Sequence, residues 1–283
     1  MGLNNKEKRK EMLGAGLASF AAAASTPEVS AAIRPKASGE TKVVAVFGIT
    51  DKYNGIGHEV CVRQILESKK DWRLIFVRAN KMFTPQLISD ADLLMICRDN
   101  SPDTIDLSGE DGLLADSIVK GSTFFTDVNV KAIIDNVRNR GMGLLAMHNT
   151  IMCGNRQFLD LMDVSGERPH NLEPIWYTRM NKTHPIMQGI GKFPAILDEQ
   201  LSAIIRSTTT ATLFESTAVH EKRQVISGWA LESGKGRIAG LLPGSTIHVY
   251  KAPEYQNIVW RAAHWVMRRD IPQYPKAKNT HYL

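Results

Sequence analysis

The sequence predicts an α/β fold with a mostly parallel central sheet. Short apolar runs, such as those at 43–47 and 143–147, alternate with longer segments in which apolar residues recur at helical spacing. Strand–helix–strand alternation of this kind is typical of parallel sheets with right-handed crossovers. The length of 283 residues fits one large domain, or one domain with an appended segment.

The central strand is expected at 143–147, where five residues carry no charge and suit full burial. Asp127 is interpreted as the cap of a preceding helix at 127–140, which Gly141 ends. Further helices are expected at 154–162 and 253–267. Other strands are predicted at 74–77, 91–96, 175–180, 212–215, 225–230 and 237–242, those at 212–215 and 225–230 being added edge strands.

The N-terminus has the features of an export signal rather than of a folded domain. A mostly basic patch at 6–10 precedes an apolar run at 12–24, and small residues at 29–31 offer a cleavage site. The apolar run is too short to span a bilayer. We therefore expect a periplasmic or secreted protein with no membrane span in the mature form. The alternative is a helical or disordered leader on a cytoplasmic protein.

These patterns divide the chain into three parts. Residues 1–41 are interpreted as export signal and linker, 42–270 as the folded domain and 271–283 as a C-terminal tail. The irregular segment 98–125 mixes Asp, Ser and Gly with short apolar pieces and is expected beside the ligand crevice. The sequence does not determine the oligomeric state, and a homo-oligomer is compatible with it.

Composition argues against two classes of function. The formal charge is +6, but the charges alternate in sign and no basic run is interleaved with aromatic residues, which argues against nucleic-acid binding. The 3 cysteines are an odd number and widely spaced, so they form neither a disulfide framework nor a CxxC metal site.

Histidines supply the candidate chemistry. His148 follows the predicted central strand, and ligands of α/β sheets bind at the carboxyl ends of the strands. His58, His170 and His184 also lie in or beside predicted loops. Three histidines and a carboxylate suit Zn²⁺ or another divalent ion with an open position. The spacings between these histidines match no short metal motif, so structural roles are alternatives. His58 would cap a helix, and His184 would lie in a turn.

A nucleophilic mechanism has less support. The strand-to-helix turn that holds the nucleophile in hydrolases and amidotransferases is filled here by His148, and no G-x-S-x-G motif occurs. Cys153 lies several residues past the strand, in the predicted helix. We therefore disfavour Cys153 as a nucleophile.

The order of these motifs resembles the ThuA-like (trehalose utilisation) family over roughly residues 42–268. The motifs are His58-Glu59, the glycine-containing strand ending in His148, His170, Thr183-His184-Pro185-Ile186, Asp198-Glu199, Gly234-Lys235-Gly236-Arg237 and Pro243-Gly244. The resemblance implies a flavodoxin-like three-layer sandwich of the class I glutamine amidotransferase type, with added edge strands and without the amidotransferase cysteine. One departure is Ser245, where the family usually has histidine.

The resemblance implies a carbohydrate-processing enzyme that performs isomerisation, lyase-type or hydrolytic chemistry on a keto-sugar or glycoside. A divalent metal, Zn²⁺ or Mn²⁺, would be held by three histidines, and three residues would act in catalysis. The expected metal ligands are His58, His148 and His170. The expected catalytic residues are His148, Glu199 and His184. The expected substrate contacts are Asn149, Trp176, Ser245 and His248.

Two questions about these residues stay open at the level of sequence. His248 could substitute for the missing histidine from a shifted loop, or one function of the site could be lost. The aromatic residues Trp176, Tyr177 and Trp229 are interpreted first as core and second as sugar-stacking platforms. The alternative function is a non-catalytic sugar-binding or accessory module on the same fold.

Overall fold

The computed structural model describes residues 34–48, 56–67, 69–78, 80–102, 123–167, 171–191, 193 and 196–275. The predicted export signal and most of the segment 98–125 lie outside these ranges, so both interpretations stay predictions. No helix within the described ranges is both long and apolar enough to cross a bilayer.

A nine-stranded sheet forms the middle layer. Its strands are β1 (Thr41–Phe47), β2 (Trp72–Val77), β3 (Leu93–Cys97), β4 (Gly143–Met147), β6 (Leu172–Arg179), β7 (Ile196–Glu199), β9 (Ala211–Ala218), β10 (Gln224–Ser233) and β11 (Gly236–Leu241). The spatial order is β2-β1-β3-β4-β11-β10-β9-β6-β7. Strands β2, β1, β3, β4 and β11 pair in parallel, and the remaining pairings are antiparallel. A separate antiparallel ribbon joins β5 (Val164–Glu167) to β8 (Ser202–Ile205).

Helices cover both faces of this sheet. They are α1 (Ile56–Leu66), α2 (Pro85–Ile88), α3 (Asp127–Asp135), α4 (Arg156–Leu161), α5 (Ile247–Lys251) and α6 (Pro253–Val266). Helix α3 continues as a π-helical turn over Asn136–Arg140. Its cap is Thr126, whose hydroxyl accepts a hydrogen bond from the Asn129 amide, so the predicted cap at Asp127 is wrong by one residue.

Strand alternation divides the apolar residues between two cores. Val43 and Leu145 belong to the core under α1, α5 and α6, whereas Val44 and Leu144 belong to the core under α2, α3 and α4. Successive side chains of a strand point to opposite faces, so a sheet covered on both faces requires continuous apolar strands. The predicted three-layer α/β fold is confirmed.

The two strands predicted at the sheet edge are longer than expected, and they lie inside its antiparallel half, because β6 and β7 pair beyond them. The patterns at 212–215 and 225–230 are only the middle parts of β9 and β10. These strands carry polar residues on exposed positions, so a search for apolar runs underestimates their length. Asp198 and Glu199 lie within strand β7, for which the sequence pattern predicted no strand.

Close backbone approach explains two glycines of the central strands. A Cβ atom at Gly143 would lie 2.8 Å from the Val266 carbonyl carbon, so β4 packs directly on the end of α6. Gly240 is paired with Trp229 across β11 and β10, and its Cβ would lie 2.2 Å from the indole ring. Trp229 is fully buried and donates from Nε1 to the Met162 carbonyl oxygen at 3.1 Å. The indole therefore has no room to move aside.

We expect Gly240→Ala to lower the free energy of unfolding by about 1–3 kcal/mol, because the added methyl overpacks the Trp229 ring. Chemical denaturation followed by tryptophan fluorescence measures the loss. Gly191→Ala is the matched control, because its Cβ would meet no atom within 4 Å and its φ is not positive. Equal stability of the two variants would contradict this packing argument.

Candidate functional site

The carboxyl end of β4 makes a sharp turn at His148. Its φ is 45°, in the left-handed region that side chains rarely adopt, and a 3₁₀ turn, His148–Met152, follows. The Thr150 hydroxyl contacts the carbonyl oxygens of Ile96 at 2.7 Å and Met147 at 2.6 Å, which ties the turn to the end of β3. This is the strand-to-helix turn that presents a nucleophile in hydrolases, and here it presents an imidazole.

The His148 ring is buried and held in one tautomer. Its Nδ1 lies 3.1 Å from the Leu242 carbonyl oxygen, and because a carbonyl can only accept, Nδ1 carries the proton. Burial lowers the pKa of His148 to about 4, although the Leu242 contact acts in the opposite direction. His148 is therefore neutral at pH 7, with the lone pair on Nε2.

His58 lies at the start of α1 beside the same site. Burial lowers the pKa of His58, and hydrogen bonding to the backbone of Ser245 and Gly244 acts in the opposite direction. Its Nε2 is buried with no hydrogen-bond partner in the described part of the chain. The charge of His58 also lowers the pKa of His148, so the two rings are electrostatic neighbours.

The loop after β11 is held by a buried carboxylate. Asp198 accepts four hydrogen bonds: from the amides of Gly244 (2.9 Å), Ser245 (2.8 Å) and Thr246 (3.2 Å), and from the Tyr177 hydroxyl (3.0 Å). Burial raises the pKa of Asp198 to about 7, whereas these four donors act to lower it. Asp198 therefore joins strands β6 and β7 to the loop beside His58.

Glu199 and Asp198 lie on opposite faces of β7, and the catalytic role expected of Glu199 stays a prediction. Ile196 and Asp198 are buried on one face of β7, so Leu197 and Glu199 point to the other face. Asp198, one residue earlier in the same motif, holds the loop beside His58, whereas Glu199 lines a small cavity with Tyr177, Leu242 and Pro243. Asp99, which follows β3, is the other acidic residue that sequence reasoning missed, and its charge raises the pKa of His148.

His184 does not lie with His148. Its ring packs 4.9 Å from the Trp265 ring, and its Nδ1 accepts from the Ile186 amide at 3.2 Å. Burial lowers the pKa of His184 to about 4, and the charge of Arg237 contributes. Arg237 is the second residue of β11, whose amino end lies beside the amino end of β4. His184 is thus at the opposite end of the sheet from His148, and the expectation that they share one site is wrong.

The other expected site residues differ in where they lie. His170 falls outside the described residues, so its role as a metal ligand stays a prediction. Asn149 is buried immediately after His148, and Ser245 is half-buried in the loop that Asp198 holds. His248 is exposed on α5, so it does not take the buried place of the missing histidine.

The aromatic residues divide between core and surface. Tyr177 and Trp229 are buried, as the core interpretation predicts. Trp176 is 39% exposed on the opposite face of β6 from Tyr177, so the core interpretation is wrong for it. Its role in substrate binding stays a prediction, and it lies on the sheet face away from Asp198.

Cys153 lacks the properties of a nucleophile. Its side chain is buried, and burial raises the pKa of its thiol to about 11. A catalytic cysteine needs a lowered pKa and an accessible thiolate. Within the described residues, no group of three or more His, Cys, Asp or Glu side chains is arranged to hold a metal ion. The described part of the site offers the two imidazoles His58 and His148.

We expect His148 to stay neutral in the metal-free protein until the pH falls to about 4. The unfolded chain takes up this proton near pH 6.5, so the folded protein loses stability as the pH falls from about 6.5 towards 4, by on the order of 3 kcal/mol. Ring NMR measures the pKa, and denaturation of wild type and His148→Gln at several pH values measures the loss. A measured pKa near 6.5 would contradict the burial argument.

Comparisons with known proteins agree with the fold described above. A family model described as trehalose utilisation, ThuA, matches residues 49–266. No curated protein matches the chain.

Solved structures show the same fold at low sequence identity. A ThuA-like protein from Parabacteroides merdae has a TM-score of 0.61 at 14% identity, covering 84% of this chain and 94% of that chain. One from Bacteroides uniformis has a TM-score of 0.60 at 10% identity, covering 82% and 93%. A cytoplasmic protein from Salmonella typhimurium has a TM-score of 0.56 at 15% identity, covering 80% and 98%. Since the family model covers well over half of its length, the chain belongs to the ThuA, or trehalose utilisation, family.

Proposed function

We propose that this protein is a carbohydrate-processing enzyme whose site lies at the carboxyl ends of β3, β4 and β11. A divalent metal, Zn²⁺ or Mn²⁺, would be held there by His58 and His148, with His170 as the predicted third ligand. The family's description supports a carbohydrate substrate. The observation that carries the proposal is the buried, unpartnered Nε2 of His58 beside the neutral imidazole of His148.

The chemistry of the two rings suits metal binding better than proton transfer. A general base works best with a pKa near the operating pH, whereas burial holds the pKa of His148 near 4. Metals bind the neutral imidazole, and ligand histidines usually donate their other N–H to a backbone carbonyl or carboxylate. His148 does so to Leu242. A buried nitrogen without a partner costs about 1–3 kcal/mol, which a bound ligand would recover.

Residues around the rings provide the remaining functions. A bound divalent ion would act as a Lewis acid on a sugar carbonyl or hydroxyl. Asn149 and Ser245 offer polar groups to the substrate at the same edge. We assign proton transfer to Asp99, the carboxylate whose charge acts on His148, because His184 lies at the other end of the sheet. Isomerisation or lyase-type chemistry on a keto-sugar fits this set of groups.

The second candidate is a sugar-binding or accessory module without catalysis. It is favoured by Ser245, which stands where the family usually has histidine and whose amide is engaged by Asp198. The exposed His248 offers no replacement in the buried part of the site. Such a module would bind sugar at the same edge of the sheet without metal or turnover.

We expect protein purified without chelators or a His-tag to contain close to one divalent ion per chain, and His58→Ala and His148→Ala to lose most of it. Each substitution removes a nitrogen ligand. Elemental analysis by mass spectrometry measures the content. His184→Ala is the matched control, since it removes a partly buried histidine of equally low pKa at the opposite end of the sheet.

Two outcomes would contradict the metal site. One is wild-type protein that holds no metal even after divalent ions are added back. The other is a loss in His184→Ala as large as in His148→Ala, which would indicate a general effect of histidine removal.

In a screen of keto-sugars for isomerase or lyase turnover, we expect His148→Ala to reduce the rate by on the order of 100-fold or more. Cys153→Ala should stay close to wild type, because the Cys153 thiol is buried and protonated. Steady-state kinetics on the metal-loaded protein measures both. Sugar binding with no turnover and no metal would support the accessory module instead.

A further inference from the structure

Three consecutive backbone amides converge on one carboxylate in the turn at 244–246. The Asp198 Oδ1 accepts from Ser245 and Thr246, and its Oδ2 accepts from Gly244 and from the Tyr177 hydroxyl. Asp198 is fully buried. The Thr246 hydroxyl adds a second tether by donating to the Leu197 carbonyl oxygen at 2.7 Å. The conformation of the turn is therefore set by strand β7.

The same turn is the surface against which His58 rests. The His58 ring lies beside the backbone of Gly244 and Ser245, which acts to raise its pKa, and it meets the Tyr250 ring edge-on at 5.5 Å between centroids. Gly244 has φ 141°, and a Cβ there would lie 2.7 Å from the Tyr250 hydroxyl oxygen. Little space is left for the turn to shift while His58 keeps its place.

The His148 ring is oriented by a different part of the structure. Its backbone partner Leu242 donates its amide to the Ser227 carbonyl oxygen at 2.9 Å, at the end of the pairing between β11 and β10. This contact belongs to the sheet and does not involve Asp198. The two rings of the site are therefore oriented by separate parts of the structure.

We propose that Asp198 is a positioning residue that holds the 244–246 turn beside His58 and so fixes the orientation of the His58 ring. The importance of this ring for function rests on the proposed function above. The orientation of the ring by Asp198 does not depend on the proposed function.

The test is Asp198→Asn in the full-length chain, read by NMR of ¹⁵N-labelled histidine rings after chelator treatment. The amide has one acceptor oxygen, so at least one backbone amide of the turn meets an NH₂ group instead. We expect the ring signals of His58 to shift, while those of His148 keep their positions and serve as the internal control. Unchanged His58 signals in folded Asp198→Asn protein would overturn the proposal.

Asp163→Asn is the matched control for loss of a turn-anchoring carboxylate. Asp163 accepts from the Ser207 amide, the Ser207 hydroxyl and the Thr210 hydroxyl, and so holds a different turn. It should lower the melting temperature without changing the His58 signals. An equal change of the His58 signals in both variants would reduce Asp198 to a general structural role and overturn the proposal.

If Asp198→Asn does not fold, Thr246→Val is the variant that tests the proposal. It removes the exposed tether to Leu197 and should shift the His58 signals in the same direction by a smaller amount, with the fold retained. Unchanged signals would then overturn the proposal. If wild type binds metal, Asp198→Asn should raise its Kd by about 10–100-fold. Absence of metal in wild type would contradict the proposed function. The NMR result would still decide whether Asp198 positions the His58 ring.

Discussion

Burial of β4 between β3 and β11 is the constraint on which the rest of the structure depends. Every residue of β4 is buried, and its amino end lies against the backbone of α6 at Val266. With both sheet faces covered, polar groups can enter only where the strand ends. The strand therefore ends abruptly at His148, and the left-handed turn there brings an imidazole into a region of low polarity.

Low polarity then determines the charge state of the site. Both His58 and His148 lose solvent on burial, and each has a lowered pKa for that reason. Their backbone contacts oppose the shift without cancelling it. Two neutral rings can stand close together without the repulsion that two imidazolium groups would suffer. The same burial raises the pKa of the Cys153 thiol, so the turn that presents a nucleophile in hydrolases here presents a neutral imidazole.

The loop after β11 connects this site to the antiparallel half of the sheet. Asp198 on β7 and Tyr177 on β6 hold the loop by hydrogen bonds, and these strands lie at the far side of the sheet order from β1 and β2. The added edge strands are thus part of the support of the site. This explains how Ser245 can stand in a family histidine position while the loop keeps a defined conformation.

Much of this architecture follows from local sequence patterns. The alternation of buried strands and amphipathic helices, the central position of 143–147, the placement of His148 at its end and the unsuitability of Cys153 could all be predicted. Each depends on residues near one another in the chain, where periodicity and strand length decide the outcome. Asp198 could also have been found, as a charged residue on the buried alternation of a short strand.

Tertiary structure decided which residues meet. Asp198 holds the loop beside His58 and Glu199 does not, because neighbouring residues of β7 lie on opposite faces of the sheet. His184 is separated from His148 because its segment packs against Trp265 and Arg237 at the amino ends of the strands. Motif order along the chain does not specify which end of a sheet a loop reaches. Local patterns in the sequence predict the fold class and the position of His148. Packing across the whole sheet determines which residues lie close to His148, because those residues come from distant parts of the chain.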